Sequence, residues 1–205
     1  EPRRHGGEDP EPHGRHSPRV GLAEGRGYLG PMPKRPPSPT TLVLVRHATT
    51  TTTGKILPGR AAGLHLSESG RDEAAATAKA LASLDKVAAL YSSPLERARE
   101  TAAAISQVSG IRTVIDRGLI ECDFGEWTGK ELKALAKLPE WQTVQQRPSA
   151  FRFPEGESFL EMSTRIVETL STLTARHRGE TVIAVSHADP IKAALAHYLG
   201  MHLDT

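Results

Sequence analysis

The sequence is poor in cysteine, in aromatic residues, in long apolar runs and in excess charge of either sign. A single cysteine, Cys122, excludes a disulfide framework and fits a reducing compartment. No apolar stretch approaches the roughly 18 residues of a membrane span. The arginines near the N-terminus have no apolar segment behind them that would make a secretory signal. A soluble cytoplasmic protein without a membrane partner is therefore expected. A formal net charge of +2 is too small for the basic surface that a nucleic-acid binder of this size shows, so no nucleic-acid partner is expected. Aromatics make up only 4% of the 205 residues, which leaves the core to Ala, Leu, Val and Ile.

What is present falls into two parts. Residues 1–40 crowd Gly and Pro between Arg, His and Glu, and have too little apolar surface to offset the entropy of ordering. They are expected to form a disordered tail, and the absence of an initial Met suggests a fragment or a processed product. Residues 41–205 alternate strands with helices and form the single domain that this length allows.

The elements of that domain are read from local pattern. Thr41–Val45, Val87–Tyr91 and Thr181–Val185 are short apolar runs of the kind found in buried parallel strands, and Thr113–Ile115 is a shorter one. An Ala-rich helix is expected from Ser67 to about Leu84. A second helix is expected after Ser93-Pro94-Leu95-Glu96, with Ser93 as N-cap, Pro94 in the first turn and Glu96 closing a capping box. Gly110 stops it. Ser158 to Glu161 is a further capping box, followed by Phe159, Met162, Ile166, Leu170 and Leu173 on one helical face. A last helix runs from about Pro190 to Leu199, with Gly200 as its stop. This order predicts a three-layer α/β/α domain around a mainly parallel central sheet.

The polar residues that stand out lie just after the strands. Arg46-His47 follows the first, Ser92 to Arg97 the second, and Ser186-His187 the last. Ligands of open α/β sheets bind outside the carboxyl ends of the strands. Two arginines, two histidines and helix N-termini therefore converge on one crevice, which suits an anion and most naturally a phosphate. Each residue alone has a plain structural reading: a polar strand end, a satisfied histidine, an arginine covering a helix flank. Their shared placement at one sheet edge has no such explanation. A neutral His47 could attack phosphorus, with Arg46, Arg97 and His187 donating to the phosphoryl oxygens. Neighbouring cations would keep that imidazole neutral. Glu121, from a fourth segment, is the candidate proton donor and acceptor. Histidines without an acidic companion at ligand spacing make a metal site improbable, and no cofactor is called for.

These segments are similar to those of the histidine phosphatase superfamily, in its phosphoglycerate-mutase-like branch, from Thr41 to the C-terminus. The matching pieces are Arg46-His47-Ala48, the stretch from Gly59-Arg60 to Leu66-Ser67-Glu68-Ser69-Gly70-Arg71, Ser92 to Ala102, Glu121 to Gly129, and Ser186-His187-Ala188. The resemblance implies a phosphoglycerate-mutase-like fold. It implies His47 as the phosphorylated residue, Glu121 as acid and base, and Arg46, Arg97 and His187 as the phosphate pocket, with Ala188 beside it. Thr53, Gly59 and Arg60 would contact the rest of a small phosphorylated metabolite. Ala48 and Ala188 stand where the family has glycine, and Thr53 where many relatives carry Asn. Relatives continue into another strand beyond the last helix, so the domain is expected to be truncated at its C-terminus, leaving a sheet edge or face uncovered.

The expected activity is metal-independent hydrolysis of a phosphomonoester through a phosphohistidine. A phosphoglycerate-type mutase and a catalytically silent binding protein on the same fold are the alternatives. Residues 130–154 offer little material for the tight lid of a mutase. The oligomeric state is left open, a homodimer included.

Overall fold

The computed structural model describes residues 38–205, so all but the last three residues of the expected tail lie outside the described part. Thr40, grouped with the tail by composition, is tied to the domain. Its hydroxyl lies 2.9 Å from the His177 carbonyl and receives the Gly179 N–H.

The main elements in chain order are β1 (Thr41–Arg46), α1 (Glu68–Leu81), β2 (Val87–Ser92), α2 (Glu96–Ser109), β3 (Thr113–Ile115), α3 (Leu132–Leu135), α4 (Glu140–Gln146), α5 (Phe159–Arg176), β4 (Thr181–Ser186) and α6 (Ala188–Tyr198). The strands form one parallel sheet in the order β1-β4-β2-β3. No helix among the described residues is long and apolar enough to cross a membrane.

Three layers follow from the two-residue period of the central strand. In β4, Val182 and Ala184 join the apolar cluster that also holds Met162, Ile166 and Leu170 of α5 and Ala193 of α6. Ile183 and Val185 point the other way, to Ala78 of α1 and Ala98, Ala102 and Ile105 of α2. A strand buried on both faces must be apolar throughout, which is why Thr181–Val185 reads as an unbroken run. The five residues expected on one face of α5 are all buried, and the Ser158–Glu161 capping box is formed in both directions.

The second capping box is not formed. Helix α2 starts at Glu96 with Leu95 as N-cap and no side-chain cap, so Ser93 and Pro94 lie outside it. The physical reason is burial at the strand end. Ser93 N–H extends the β4 ladder to the Val185 carbonyl at 2.9 Å, and its hydroxyl is 2.7 Å from His187. The Ser93 hydroxyl faces the buried imidazole and takes only the Leu95 N–H, at 3.4 Å, ahead of the helix.

Candidate active site

Three strands end at one edge of the sheet and deliver the candidate residues there. His47 N–H continues the β1 ladder to the Ser186 carbonyl at 3.0 Å, so His47 and His187 leave adjacent strands side by side. Their ring centroids are 5.1 Å apart. Arg97, in the first turn of α2, reaches the same point. It is completely buried, as is His187, whereas Arg99 is exposed; two residues apart on a helix, they face different ways.

The hydrogen bonds fix the state of His47. Its Nδ1 lies 2.8 Å from the Ala48 carbonyl, which can only accept, so Nδ1 carries the proton. Nε2 then holds the lone pair, and it receives Arg97 Nε at 3.2 Å. Burial, followed by the charges of Arg97 and Arg46, lowers the His47 pKa to about 4, against the pull of the Ala48 carbonyl. The cations add to this neutrality, but removal from water is its larger cause. His187 is also held well below its ordinary value, first by burial and then by Arg97 and His47.

Two side-chain nitrogens at this point have no protein partner. Arg97 Nη2 donates to the Gly59 carbonyl at 2.8 Å, but Nη1 is buried and unbonded. His187 Nε2 lies 2.7 Å from the Ser93 hydroxyl, whose oxygen also accepts the Leu95 N–H at 3.4 Å. His187 Nδ1 is also buried and unbonded. Orphaned buried donors are costly and rare, and beside a nucleophilic nitrogen they suit an anion's oxygens.

Glu121 is 5% exposed, and one carboxylate oxygen accepts the Cys122 N–H at 2.9 Å. Burial first, and the nearby Asp189 charge second, raise its pKa well above the carboxylate range, which keeps the group protonated and able to donate. Its backbone carbonyl is held by Arg60 Nε at 2.9 Å and Arg165 Nη2 at 3.4 Å. Glu157 binds both arginines, at 2.7 Å to Arg60 and 2.9 Å to Arg165, and also accepts the Asp123 N–H. Arg60 thus sits beside the Glu121 loop, with its guanidinium committed to Glu121, Asp123 and Glu157.

The remaining candidates line the approach. Arg46, exposed, borders a recess of about 210 Å³ with His47, Ala48, Thr49, Thr53 and Glu73. Thr53 turns its hydroxyl onto the Thr50 N–H at 2.9 Å. Gly59 has φ +50°, and a Cβ there would stand 2.7 Å from Thr128 Oγ1, so glycine is needed to present its carbonyl to Arg97. Neither Ala48 nor Ala188 has positive φ, so the alanines carry no backbone strain. Ala188 is the first residue of α6. A larger cavity of about 650 Å³ has Phe124, Trp141 and Asp189 on its wall and touches none of the five central residues.

Four supporting residues had no role assigned to them by the sequence. Thr101 accepts the Ala48 N–H at 3.1 Å and so fixes the chain after His47; its one signal is a position one turn beyond Arg97. Glu157 and Arg165 lie far in sequence from the Glu121 loop they hold, and Asp189, two residues after His187, acts on Glu121 from another motif.

Fold and geometry together define an α/β protein that gathers two buried histidines and a buried arginine at one edge of its parallel sheet. A family model for the histidine phosphatase superfamily (branch 1) matches residues 42–205, and the chain belongs to that superfamily. Phosphoserine phosphatase 1 of Hydrogenobacter thermophilus is 33% identical over 167 residues, covering 79% of this chain and 77% of its own length. The bifunctional protein Rv2228c of Mycobacterium tuberculosis is 33% identical over 77% of this chain, which spans only 44% of that relative. Among solved structures, Bacillus stearothermophilus YhfR matches with a TM-score of 0.75 at 30% identity, covering 80% of this chain and 82% of that one. The mycobacterial glucosyl-3-phosphoglycerate phosphatase matches with a TM-score of 0.72 at 26% identity, covering 80% and 81%.

Proposed function

We propose that the chain hydrolyses phosphomonoesters of small metabolites, without a metal, through a phosphohistidine on His47. The observation that carries this reading is the buried Nε2 lone pair of His47, set by the Nδ1–H bond to Ala48 and flanked by the unpartnered nitrogens Arg97 Nη1 and His187 Nδ1. Phosphatase names among the relatives, one for phosphoserine and one for glucosyl-3-phosphoglycerate, support the class and leave the substrate to experiment.

In the first step Nε2 bonds to phosphorus and the P–O ester bond breaks. Arg46, Arg97 and His187 hold the phosphoryl oxygens, where charge builds up. The leaving oxygen takes its proton from Glu121, which burial keeps protonated. The Ala48 carbonyl offsets the positive charge that appears on the phosphorylated ring. In the second step Glu121, now a carboxylate, takes a proton from water as its oxygen attacks phosphorus. The P–N bond breaks, phosphate leaves and both groups return to their starting states.

The test is hydrolysis of a generic phosphomonoester in the presence of a chelator, with trapping of acid-labile phosphate. Chelator-resistant activity that disappears in His47→Ala, with label on His47 in the wild type, is expected. Loss of activity with chelator, or a fully active His47→Ala protein, refutes the mechanism. Absence of any label points to a silent binding protein. Conversion of 3-phosphoglycerate to 2-phosphoglycerate with a trace of bisphosphate and no free phosphate would make the chain a mutase.

A further inference from the structure

The peptide group that sets the state of His47 has two ends. Its carbonyl, that of Ala48, takes the His47 Nδ1–H at 2.8 Å. Its N–H, that of Thr49, belongs to the same rigid plane and points the opposite way. This N–H donates to Glu73 Oε2 at 2.9 Å, and the Thr49 hydroxyl donates to Glu73 Oε1, also at 2.9 Å. A carboxylate, a peptide group and the imidazole of the nucleophile therefore stand in one hydrogen-bonded row.

The surroundings leave this peptide one orientation. On one side the buried Thr101 hydroxyl takes the Ala48 N–H at 3.1 Å and donates to the Arg97 carbonyl at 2.8 Å. On the other side the Thr49 carbonyl receives the Ser67 N–H at 3.0 Å and the Ser67 hydroxyl at 3.2 Å. The first turn of α1 comes so close that a Cβ on Gly70 would stand 1.9 Å from the Thr49 carbonyl oxygen. Glu73, three residues on, shares that face of the helix, so this close approach delivers its carboxylate to Thr49.

Electrostatics agree with the geometry. The Thr49 N–H first, and its hydroxyl second, hold the Glu73 carboxyl below its ordinary value, and Arg46 adds to them. An ionised acceptor polarises the peptide and strengthens the Ala48 carbonyl as an acceptor in turn. Demand on that carbonyl rises as Nε2 bonds to phosphorus and the ring becomes positive. Glu73 is exposed, so water screens its bare charge and its influence passes through the bonds. A carboxylate behind a catalytic histidine is the arrangement of the hydrolytic triads, here with a peptide group between the two.

We propose that Glu73 is a positioning residue for the nucleophile: through the peptide between Ala48 and Thr49, its carboxylate fixes the Ala48 carbonyl on His47 Nδ1 and supports the positive ring of the phosphoenzyme. No proton moves along the row. The role rests on the phosphohistidine reading of His47.

The test reads two quantities, hydrolysis of p-nitrophenyl phosphate and the NMR resonance of the His47 Nδ1 proton in the resting protein. Glu73→Ala should lower kcat roughly ten- to a hundredfold with KM within about twofold. Glu73→Gln keeps a neutral acceptor and should lose about three- to tenfold. In both, the Nδ1 proton resonance should move upfield, as a weakened hydrogen bond requires, and further in Glu73→Ala. Asp72→Asn removes the neighbouring exposed charge of α1 and should change neither quantity. If circular dichroism shows that Glu73→Ala does not fold, Glu73→Gln decides. A Glu73→Ala protein with wild-type kcat, or an unmoved Nδ1 resonance in Glu73→Gln, overturns the inference. The resonance is read without substrate, so a wild type that hydrolyses nothing refutes the phosphatase reading, and the resonance still judges the row.

Discussion

Replacing Arg97 by Met separates a functional arginine from one that merely fills the core. The wild-type guanidinium is fully buried, donates to His47 Nε2 and the Gly59 carbonyl, and leaves Nη1 unbonded. Burial depresses its pKa, with Glu121 and Glu96 only partly offsetting the cost. Replacing both members of a buried ion pair by apolar side chains is often neutral or gains about 1–4 kcal/mol, an upper limit for the single charge of Arg97. Leaving the Gly59 carbonyl without its partner costs about 1–3 kcal/mol. The two nearly cancel, so the melting temperature should move by only a few degrees, at about 2–4 °C per kcal/mol for a chain of this size. Activity should not be spared. One lost donor to a transition-state oxygen costs about 2.7–4 kcal/mol, or roughly 10²–10³ in kcat, and both Nε and Nη1 face the reaction centre. Steady-state hydrolysis and a thermal melt on the same preparation give both readings. A variant that keeps activity within tenfold of the wild type refutes the phosphate-pocket assignment. A fall in melting temperature beyond about 10 °C would show that the arginine holds the fold.

Three further outcomes are expected. The pH profile of kcat/KM should have its acid limb near 4, because protonation there removes the His47 lone pair, and a basic limb where Glu121 loses its proton; an acid limb at the ordinary 6.5 contradicts the burial argument. Stability carries the same signs. His47 in the unfolded chain protonates from its ordinary 6.5, while the folded one resists down to about 4, so stability is lost as pH falls through that window, and His47→Gln should flatten the loss. Glu121 has a raised folded pKa, so its contribution is full below the ordinary 4.5 and is lost as pH rises; Glu121→Gln should match the wild type in acid and exceed it near neutrality, checked by denaturant unfolding at several pH values. Glu157→Gln weakens the ties that hold the Glu121 carbonyl through Arg60 and Arg165, and should lower kcat by about 10–100-fold with little change in KM, with the basic limb displaced and partial rescue by Glu157→Asp. A rise in KM alone would return Arg60 to a role on the substrate.

Periodicity and punctuation are local properties, and what depends on them was legible in the chain. The five buried positions of α5, its capping box, the stops at Gly110 and Gly200 and the double-sided burial of β4 all follow from spacings within a few residues. The meeting of Arg46, His47, Arg97 and His187 was legible too, because parallel strands with short exits bring their carboxyl ends to one edge.

Tertiary structure alone decided how those residues are held and charged. Ser93 looked like a helix cap, but it lies ahead of α2 and its hydroxyl faces the buried imidazole of His187. The tautomer of His47, the protonated state of Glu121 and the Glu157 hub rest on groups that range from the next residue, Ala48, to Arg60 far earlier in the chain. Identity and order of residues determine which groups can reach the site. Desolvation and hydrogen-bond direction, which set their protonation, exist only once the chain has closed around them.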